Sequence, residues 1–320
     1  MIAAEFIKEG HPKRLVLEAA GVSRSSFYYR PAGDKGGRGR RKSTHTRTKD
    51  GRLVSNEKVS ADIEEVLSKE FVDYGYLKVT HWLRQEKGYL VNPKKIYRLM
   101  AEEGLLNKFV PRRRGKRNWV RDLLPKTVEA FDYLEFDIKY VYVAGQTRNA
   151  LVLTVIDVQT RWVLGQIAKW SISQQSVINL FDQFFEVYPL PKSFYVRNDN
   201  GSQFDAHKVQ KYFEKRDVVQ EFCKPATPEQ NAHIESYHSI LETVVCQRFE
   251  FETLPELRET LNRFVKFYNF KRIHSGVGYQ SPYKYLLEKG IDMKDFKLNK
   301  ALDSSSLTNG FPHKKEADFS

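Results

Sequence analysis

Three acids stand where a strand, a strand end and a helix could bring them together. Asp137 interrupts the apolar run YLEFDIKYVYV, Asp199 ends SFYVRND where it enters NGSQF, and Glu235 lies within TPEQNAHIESYHSILE. A strand alternates faces, so Asp137 shares one with Glu135 and Lys139 while Phe136, Ile138 and Tyr140 take the other. Asp199 falls at a strand end, where ligand-holding groups collect in α/β sheets. Glu235 sits on a helix starting near Pro228, with Ile234, Tyr237 and Leu241 elsewhere around it. Each acid taken alone reads equally as a surface carboxylate, a turn residue or a helix cap. Carboxylates converging from two strands and a helix would repel one another unless a cation neutralised them. Hard oxygen donors suit Mg²⁺ or Mn²⁺. Two such ions about 3.5–4 Å apart clamp both the attacking and the leaving oxygen at a phosphorus.

The elements that must position these acids follow from periodicity. YLEFDIKYVYV, NALVLTVIDVQ and RWVLGQIAKW are rich in β-branched and aromatic residues and read as an antiparallel meander. A helix over 173–187 follows, then strand SFYVRND, a helix near 207–216, a short strand VVQEFC, and helices over 228–249 and 254–268. This order predicts an α/β fold with a mixed sheet.

Upstream, the chain reads as helical and basic. Residues 11–31 predict two short helices joined at Gly21, with Ser23 as N-cap, Pro31 as stop and Leu15, Leu17 and Ala20 on the first helix. This is a helix-turn-helix pattern, with Arg24, Ser25 and Tyr29 on its second helix. A second helical block spans 58–106. In it, Ile63, Val66, Leu67 and Phe71 share amphipathic spacing, and Trp82 and Leu83 face inward. Asn92–Pro93 opens its last helix and Gly104 closes it. Ile96, Leu99 and Met100 form that helix's apolar face, leaving Lys94, Lys95, Tyr97 and Arg98 outside as on a recognition helix.

The net charge is +13 with a pI near 9.5, which favours a polyanionic partner. From Gly33 to Leu53 there are eight Lys or Arg against two Asp, and from Lys108 to Arg121 there are seven and no acid. Both stretches read as flexible basic connectors that follow phosphates, through Arg40, Arg41, Lys42, Arg112, Arg113 and Arg114, or as solubilising linkers. Two cysteines, Cys223 and Cys246, are too few for a disulfide framework and lack zinc-ligand spacing; they read as buried or half-buried thiols. No apolar run is long enough to cross a bilayer, and no apolar signal core follows the N-terminus, so a cytoplasmic protein is expected.

The expected organisation is therefore a helix-turn-helix-like segment at 1–32, a basic linker at 33–57, and a second, all-α helix-turn-helix-like domain at 58–107. A basic connector at 108–126, a catalytic core with C-terminal helices at 127–290, and an unstructured polar tail at 291–320 complete it.

At its acids the sequence resembles the catalytic core of the retroviral-integrase superfamily, in particular the DDE transposases of bacterial insertion sequences. The matching pieces are FDIKY around Asp137, VIDVQTRWVLG from Val155 to Gly165, RNDNGSQF around Asp199 and NAHIESYHSIL around Glu235. Thirty-five residues separate Asp199 from Glu235, the spacing behind the family's D,D-35-E name. YNFKRIHSGVGYQSPYKYL resembles the stretch that closes the core, and FVDYGYLKVTHWLRQEKGYLVNPKKIYRLMAEEGLL resembles the helix-turn-helix before it.

The resemblance implies an RNase H-like fold, two Mg²⁺ or Mn²⁺ ions held by Asp137, Asp199 and Glu235, and DNA as substrate. Water attacks a phosphodiester at the element end, and the freed 3′-OH then attacks another strand. It implies further that Asn200, Gly201 and Gln203 shape a turn that touches DNA, and that Arg272 and His274 meet either DNA phosphates or the core surface. Asp157 and Arg161 match the pattern but sit at a strand connection, where a local structural role is expected. The partners implied are terminal-repeat and target DNA, other copies of the chain on that DNA, and the product of an upstream frame. An overlapping upstream frame and flanking inverted repeats are expected in the neighbouring DNA. A nuclease of the same fold would carry the same carboxylates, and strand transfer separates the two; a non-catalytic regulator would not need all three acids. One departure stands out: the position seven residues after the catalytic Glu, commonly basic in relatives, is Glu242. It lies about 10.5 Å along the helix from Glu235.

Overall fold

The computed structural model describes residues 2–28, 42–107, 129–199, 201, 207–223 and 228–293. The expectations for Arg40, Arg41, Arg112, Arg113, Arg114, Asn200 and Gln203, the whole connector 108–126, and the tail beyond 293 lie outside the described residues. The chain divides into two compact units, residues 1–44 and 45–320.

The first unit holds α1 (Ile2–Lys8), α2 (Lys13–Ala19) and α3 (Arg24–Tyr28). Gly21 turns the chain at φ +63°, and Ser23 Oγ accepts the Ser26 N–H at 3.0 Å to cap α3. The predicted two-helix pattern is present. Its apolar face is narrower than expected, for Leu17 is buried while Leu15 is 62% exposed.

The second unit opens on a segment expected to be linker. Residues 45–55 instead form a hairpin, β1 (His45–Thr48) and β2 (Leu53–Ser55), joined by β3 (Tyr89–Leu90) into an antiparallel sheet of order β2-β1-β3. The domain that follows is thus not all-α. Alternation explains the hairpin: Thr46 and Thr48 turn inward while His45 and Arg47 face solvent, and Gly51 (φ +87°) makes the turn. Three helices complete the domain: α4 (Asn56–Leu67), α5 (Tyr76–Glu86) and α6 (Pro93–Glu102). Asn92 caps α6 by accepting the Lys94 N–H at 2.9 Å, and Ile96, Leu99 and Met100 are buried as expected. Phe71 does not continue the face of α4. It adopts φ +64° and packs among Phe249, Phe264 and Phe267 of the C-terminal part.

The C-terminal part is a three-layer α/β/α structure. Its five strands are β4 (Tyr133–Val143), β5 (Arg148–Asp157), β6 (Val163–Lys169), β7 (Phe194–Asn198) and β8 (Val218–Phe222), in the order β6-β5-β4-β7-β8. β4, β5 and β6 form the predicted antiparallel meander, and β7 and β8 run parallel to β4. This is the RNase H-like arrangement that the sequence resemblance implied. One face of β4 meets α7 (Gln174–Val187) and α8 (His207–Glu214) through Phe136, Phe181 and Phe213. Gly165 of β6 lies under α7, where a β-carbon would stand 2.6 Å from the Phe184 ring. The other face carries α9 (Ala232–Leu241), which continues through a π-helical turn, Glu242–Cys246, and α10 (Leu254–Phe270). Asn269 of α10 exchanges two hydrogen bonds of 2.9 Å with the backbone of Val163. The short α11 (Pro282–Glu288) is the last helix among the described residues, none of whose helices is long and apolar enough to cross a membrane.

The helix-turn-helix domain is locked onto this core. Arg272 donates from both terminal nitrogens to Asp73, at 2.5 and 3.0 Å. The Tyr74 hydroxyl donates to Lys271 O and accepts from Ile273 N, and His81 stacks on Tyr279 at 3.9 Å.

Candidate active site

β4 presents its odd-numbered residues to α9, and the two run side by side. Glu135, fully buried, accepts the His233 and Ile234 N–H groups at 2.9 and 2.8 Å and contacts His233 Nδ1 at 2.8 Å. A strand carboxylate thus satisfies the first N–H donors of α9 and favours its positive end, which fixes the helix on the sheet. Two residues on, the Asp137 oxygens meet the Ile138 N–H at 2.7 Å and His238 Nδ1 at 3.5 Å. Two further, Lys139 Nζ pairs with Glu242 Oε2 at 2.8 Å. Glu235, His238 and Glu242 are spaced i, i+3, i+7, so they form one stripe. Glu235 is exposed on that stripe, about 4.5 Å along the axis before His238.

Asp199 comes from the neighbouring strand. β4 and β7 pair in parallel, with Glu135 opposite Arg197 as the last pair. Extending that register by two residues sets Asp137 opposite Asp199. Burial pushes the Asp199 carboxyl up and the Asp137 charge adds to this, against a 3.0 Å hydrogen bond from the Gly201 N–H. Behind the pair, Arg197 is buried and donates to Glu221 at 2.8 and 3.2 Å and to Gln230 O at 2.8 Å. Cys223 follows β8 in the same corner. Burial pushes its thiol up to about 11, Arg197 works against this, and Glu135, Asp199 and Asp137 add to it, so it stays protonated at neutral pH.

The structure therefore brings Asp137 and Asp199 side by side and sets Glu235 on the adjoining helix stripe. It does not close the three into one cluster: among the described residues no three His, Cys, Asp or Glu side chains gather as a metal-holding group. The residues present do fit a divalent cation. Burial and the Asp137 charge beside it raise the Asp199 carboxyl, a setting that a cation would neutralise, and the one lysine of the β4 face, Lys139, is engaged by Glu242.

The sequence matches the family described as "Integrase core domain" over residues 128–228 and again over 216–282, and the family described as "HTH-like domain" over 55–115. It is 27% identical over 246 residues to the transposase for insertion sequence element IS904 of Lactococcus lactis, covering 72% of this chain and 93% of that protein. Residues 128–282 of the chain thus match integrase-core models, and the relatives it resembles are proteins of insertion elements. It is also 28% identical over 238 residues to an uncharacterized protein of insertion element IS407 from Burkholderia multivorans, covering 72% of this chain and 81% of that one. Among solved structures it is similar to the catalytic core domain of BIV integrase, with a TM-score of 0.39 and 16% identity over 50% of this chain and 96% of that one.

Within this integrase core, Asp157 has the local role expected of it. It is fully buried and accepts from Phe131 N (3.1 Å), Thr160 N (2.8 Å) and Thr160 Oγ1 (2.6 Å), and burial pushes its carboxyl up to about 6 against those bonds. Arg161 bonds Val158 O in the same connection. Arg272 and His274 need correction as DNA contacts. Arg272 is 1% exposed and forked on Asp73; His274 is 8% exposed, and burial together with Arg272, Lys78 and Arg161 holds it well below the usual imidazole range. Both face the seam between the domains, not solvent.

In the HTH-like domain Lys94 is exposed, Lys95 Nζ donates to His45 O at 2.8 Å, and Arg98 lies 3.9 Å from Glu102. Arg24 and Lys42, in the first unit, are exposed. Sequence reasoning missed Glu135, whose partners lie 98 and 99 residues away, and Lys139, whose pairing depends on the helix beside it.

Proposed function

We propose that this chain is a transposase that cuts DNA at insertion-sequence ends and joins the freed 3′-OH to a target strand, with Asp137, Asp199 and Glu235 as metal-holding catalytic residues. What supports this reading is the parallel pairing of β4 with β7, recorded as far as Glu135 and Arg197, together with the Asp137 charge that helps raise the Asp199 carboxyl, beside the α9 stripe bearing Glu235. Mg²⁺ or Mn²⁺, two per site, would neutralise the carboxylates and offset charge at the reacting phosphorus. The chain's own residues supply the frame. Glu135 anchors α9, and the Ile138 N–H and His238 hold the Asp137 carboxylate from the protein side. The basic segments upstream of the core hold the terminal repeats. Several copies, with or without an upstream-frame protein, act together on bacterial DNA in the cytoplasm.

The test uses a terminal-repeat oligonucleotide with Mg²⁺ or Mn²⁺. Asp137→Asn, Asp199→Asn and Glu235→Gln should each lower cleavage and joining by at least about 100-fold, the scale of losing one preorganised electrostatic group, with unchanged circular dichroism. Full activity in any one variant would remove that residue from the site. Cleavage without joining in the parent protein would make it a nuclease instead.

A further inference from the structure

We propose that the hairpin β1–β2 is a DNA-binding wing, in which Arg47 and Lys49 hold phosphates beside the duplex that α6 approaches. This rests on the reading of the substrate as DNA. It adds a surface that lies ahead of the matched HTH-like region, which begins at residue 55.

The outer face of the small sheet is open. β1 alternates exposed and buried residues, so His45 and Arg47 share the solvent side. Arg47 pairs in register with Leu53 of β2 and with Leu90 of β3. Leu53 is 66% and Leu90 56% exposed, so the three side chains form an exposed row across the sheet with the guanidinium at its centre. Two leucines separated by a guanidinium do not make a continuous apolar patch of the kind that marks a protein interface.

The charge on this hairpin points to a polyanion. Between residues 45 and 55 there are three cations, Arg47, Lys49 and Arg52, and one acid, Asp50. Arg52 takes that acid at 2.5 Å. Neither the Arg47 nor the Lys49 side chain has a hydrogen-bond or ion-pair partner among the described residues. The Lys49 stem is nevertheless held, because its methylenes lie 4.0 Å from where a β-carbon on Gly88 would stand and its N–H donates to Gly88 O at 2.8 Å. A placed stem with an unengaged ammonium suits a phosphate contact.

The hairpin also stands in the right place. Lys95 of α6 donates to His45 O at 2.8 Å, which fixes the start of β1 against the first turns of that helix, where Lys94 is exposed. β3 ends three residues before α6 begins. A duplex lying along the side of α6 that exposes Lys94 would therefore pass the sheet face. Strand ribbons and helices both serve as DNA-contacting elements in such domains.

The experiment measures binding of the full chain to a terminal-repeat duplex by fluorescence anisotropy, from about 50 to 200 mM salt. Arg47→Ala with Lys49→Ala should weaken binding and flatten the slope of log K against log salt by about 1.8, two phosphate contacts at about 0.9 each. Thermal unfolding should not change, since both side chains are exposed. Arg47→Lys with Lys49→Arg should restore the slope. An unchanged slope in the alanine pair, while the parent protein binds normally, would overturn the wing and leave the transposase reading standing. A parent protein that binds no duplex at all would overturn both. Leu53→Ser with Leu90→Ser provides the remaining arm, followed by light scattering: an oligomer that dissociates with DNA binding intact would assign this face to a second copy of the chain.

Discussion

Glu242 is the acid most easily mistaken for a ligand, because it shares the α9 stripe with Glu235. Its carboxylate is taken by Lys139 at 2.8 Å, with 19% of the Lys139 side chain and 45% of the Glu242 side chain exposed. A pair this open to solvent contributes no more than about 1 kcal/mol. Glu242→Gln should therefore retain cleavage and joining and unfold within about 1 kcal/mol of the parent, whereas Glu235→Gln loses the chemistry. Assaying the two side by side decides the assignment: a folded but inactive Glu242→Gln with an active Glu235→Gln would reverse it. At this scale the sequence was informative about residue type and order. An acid interrupting an apolar run marked Asp137, a strand end before a turn marked Asp199, and a turn-like setting marked Asp157 as structural. It was silent on partnership. Arg272 looks like any basic residue near a core's end until Asp73, 199 residues earlier, closes on it.

At the scale of elements, alternation and capping made most of the core legible. β4, β5, β6 and α7 fall within a residue or two of where their apolar periodicity places them, and α6 starts at its predicted Asn–Pro cap. The hairpin was hidden because β1 alternates His45 and Arg47 with Thr46 and Thr48, and Leu53 and Val54 of β2 are too short an apolar run to mark a strand. The fit of α7 on β6 depends on Gly165, whose missing β-carbon admits the Phe184 ring. Adding a methyl group there forces ring and strand apart, an overpacking cost of about 1–3 kcal/mol. Gly165→Ala should lower stability by that amount in a denaturant titration, while Gly10, with nothing within 4 Å of its β-carbon position, offers a strain-only comparison at φ +97°. A Gly165→Ala protein as stable as the parent would mean that α7 shifts freely on the sheet.

Across the large unit, the Asp73–Arg272 pair joins the HTH-like domain to the integrase core. Burial alone would raise the Asp73 carboxyl; the Arg272 hydrogen bonds and charge outweigh it and hold the group below its ordinary value of 3.8. A depressed carboxylate contributes its stability above the unfolded-state value and loses it as pH falls through the folded one. Asp73→Ala should cost about 3–5 kcal/mol at pH 7, because it leaves a buried guanidinium unpaired. The gap to the parent should narrow as pH drops below about 4. A gap that stays constant from neutral to acid pH would show that the pair is not what couples stability to protons.

The same seam bears on inheritance. Phe71 is anchored among aromatics of the C-terminal part, Tyr74 bonds the backbone at Lys271 and Ile273, and His81 stacks on Tyr279. Each contact needs one residue from either side of the 108–126 stretch. A recombination breakpoint in that stretch would therefore bring together halves that had never been selected against each other, with a stranded guanidinium and an unfilled aromatic slot. The HTH-like half of this molecule is not a cassette. A graft of it onto another core would have to carry the partners at 267, 272 and 279 along with it.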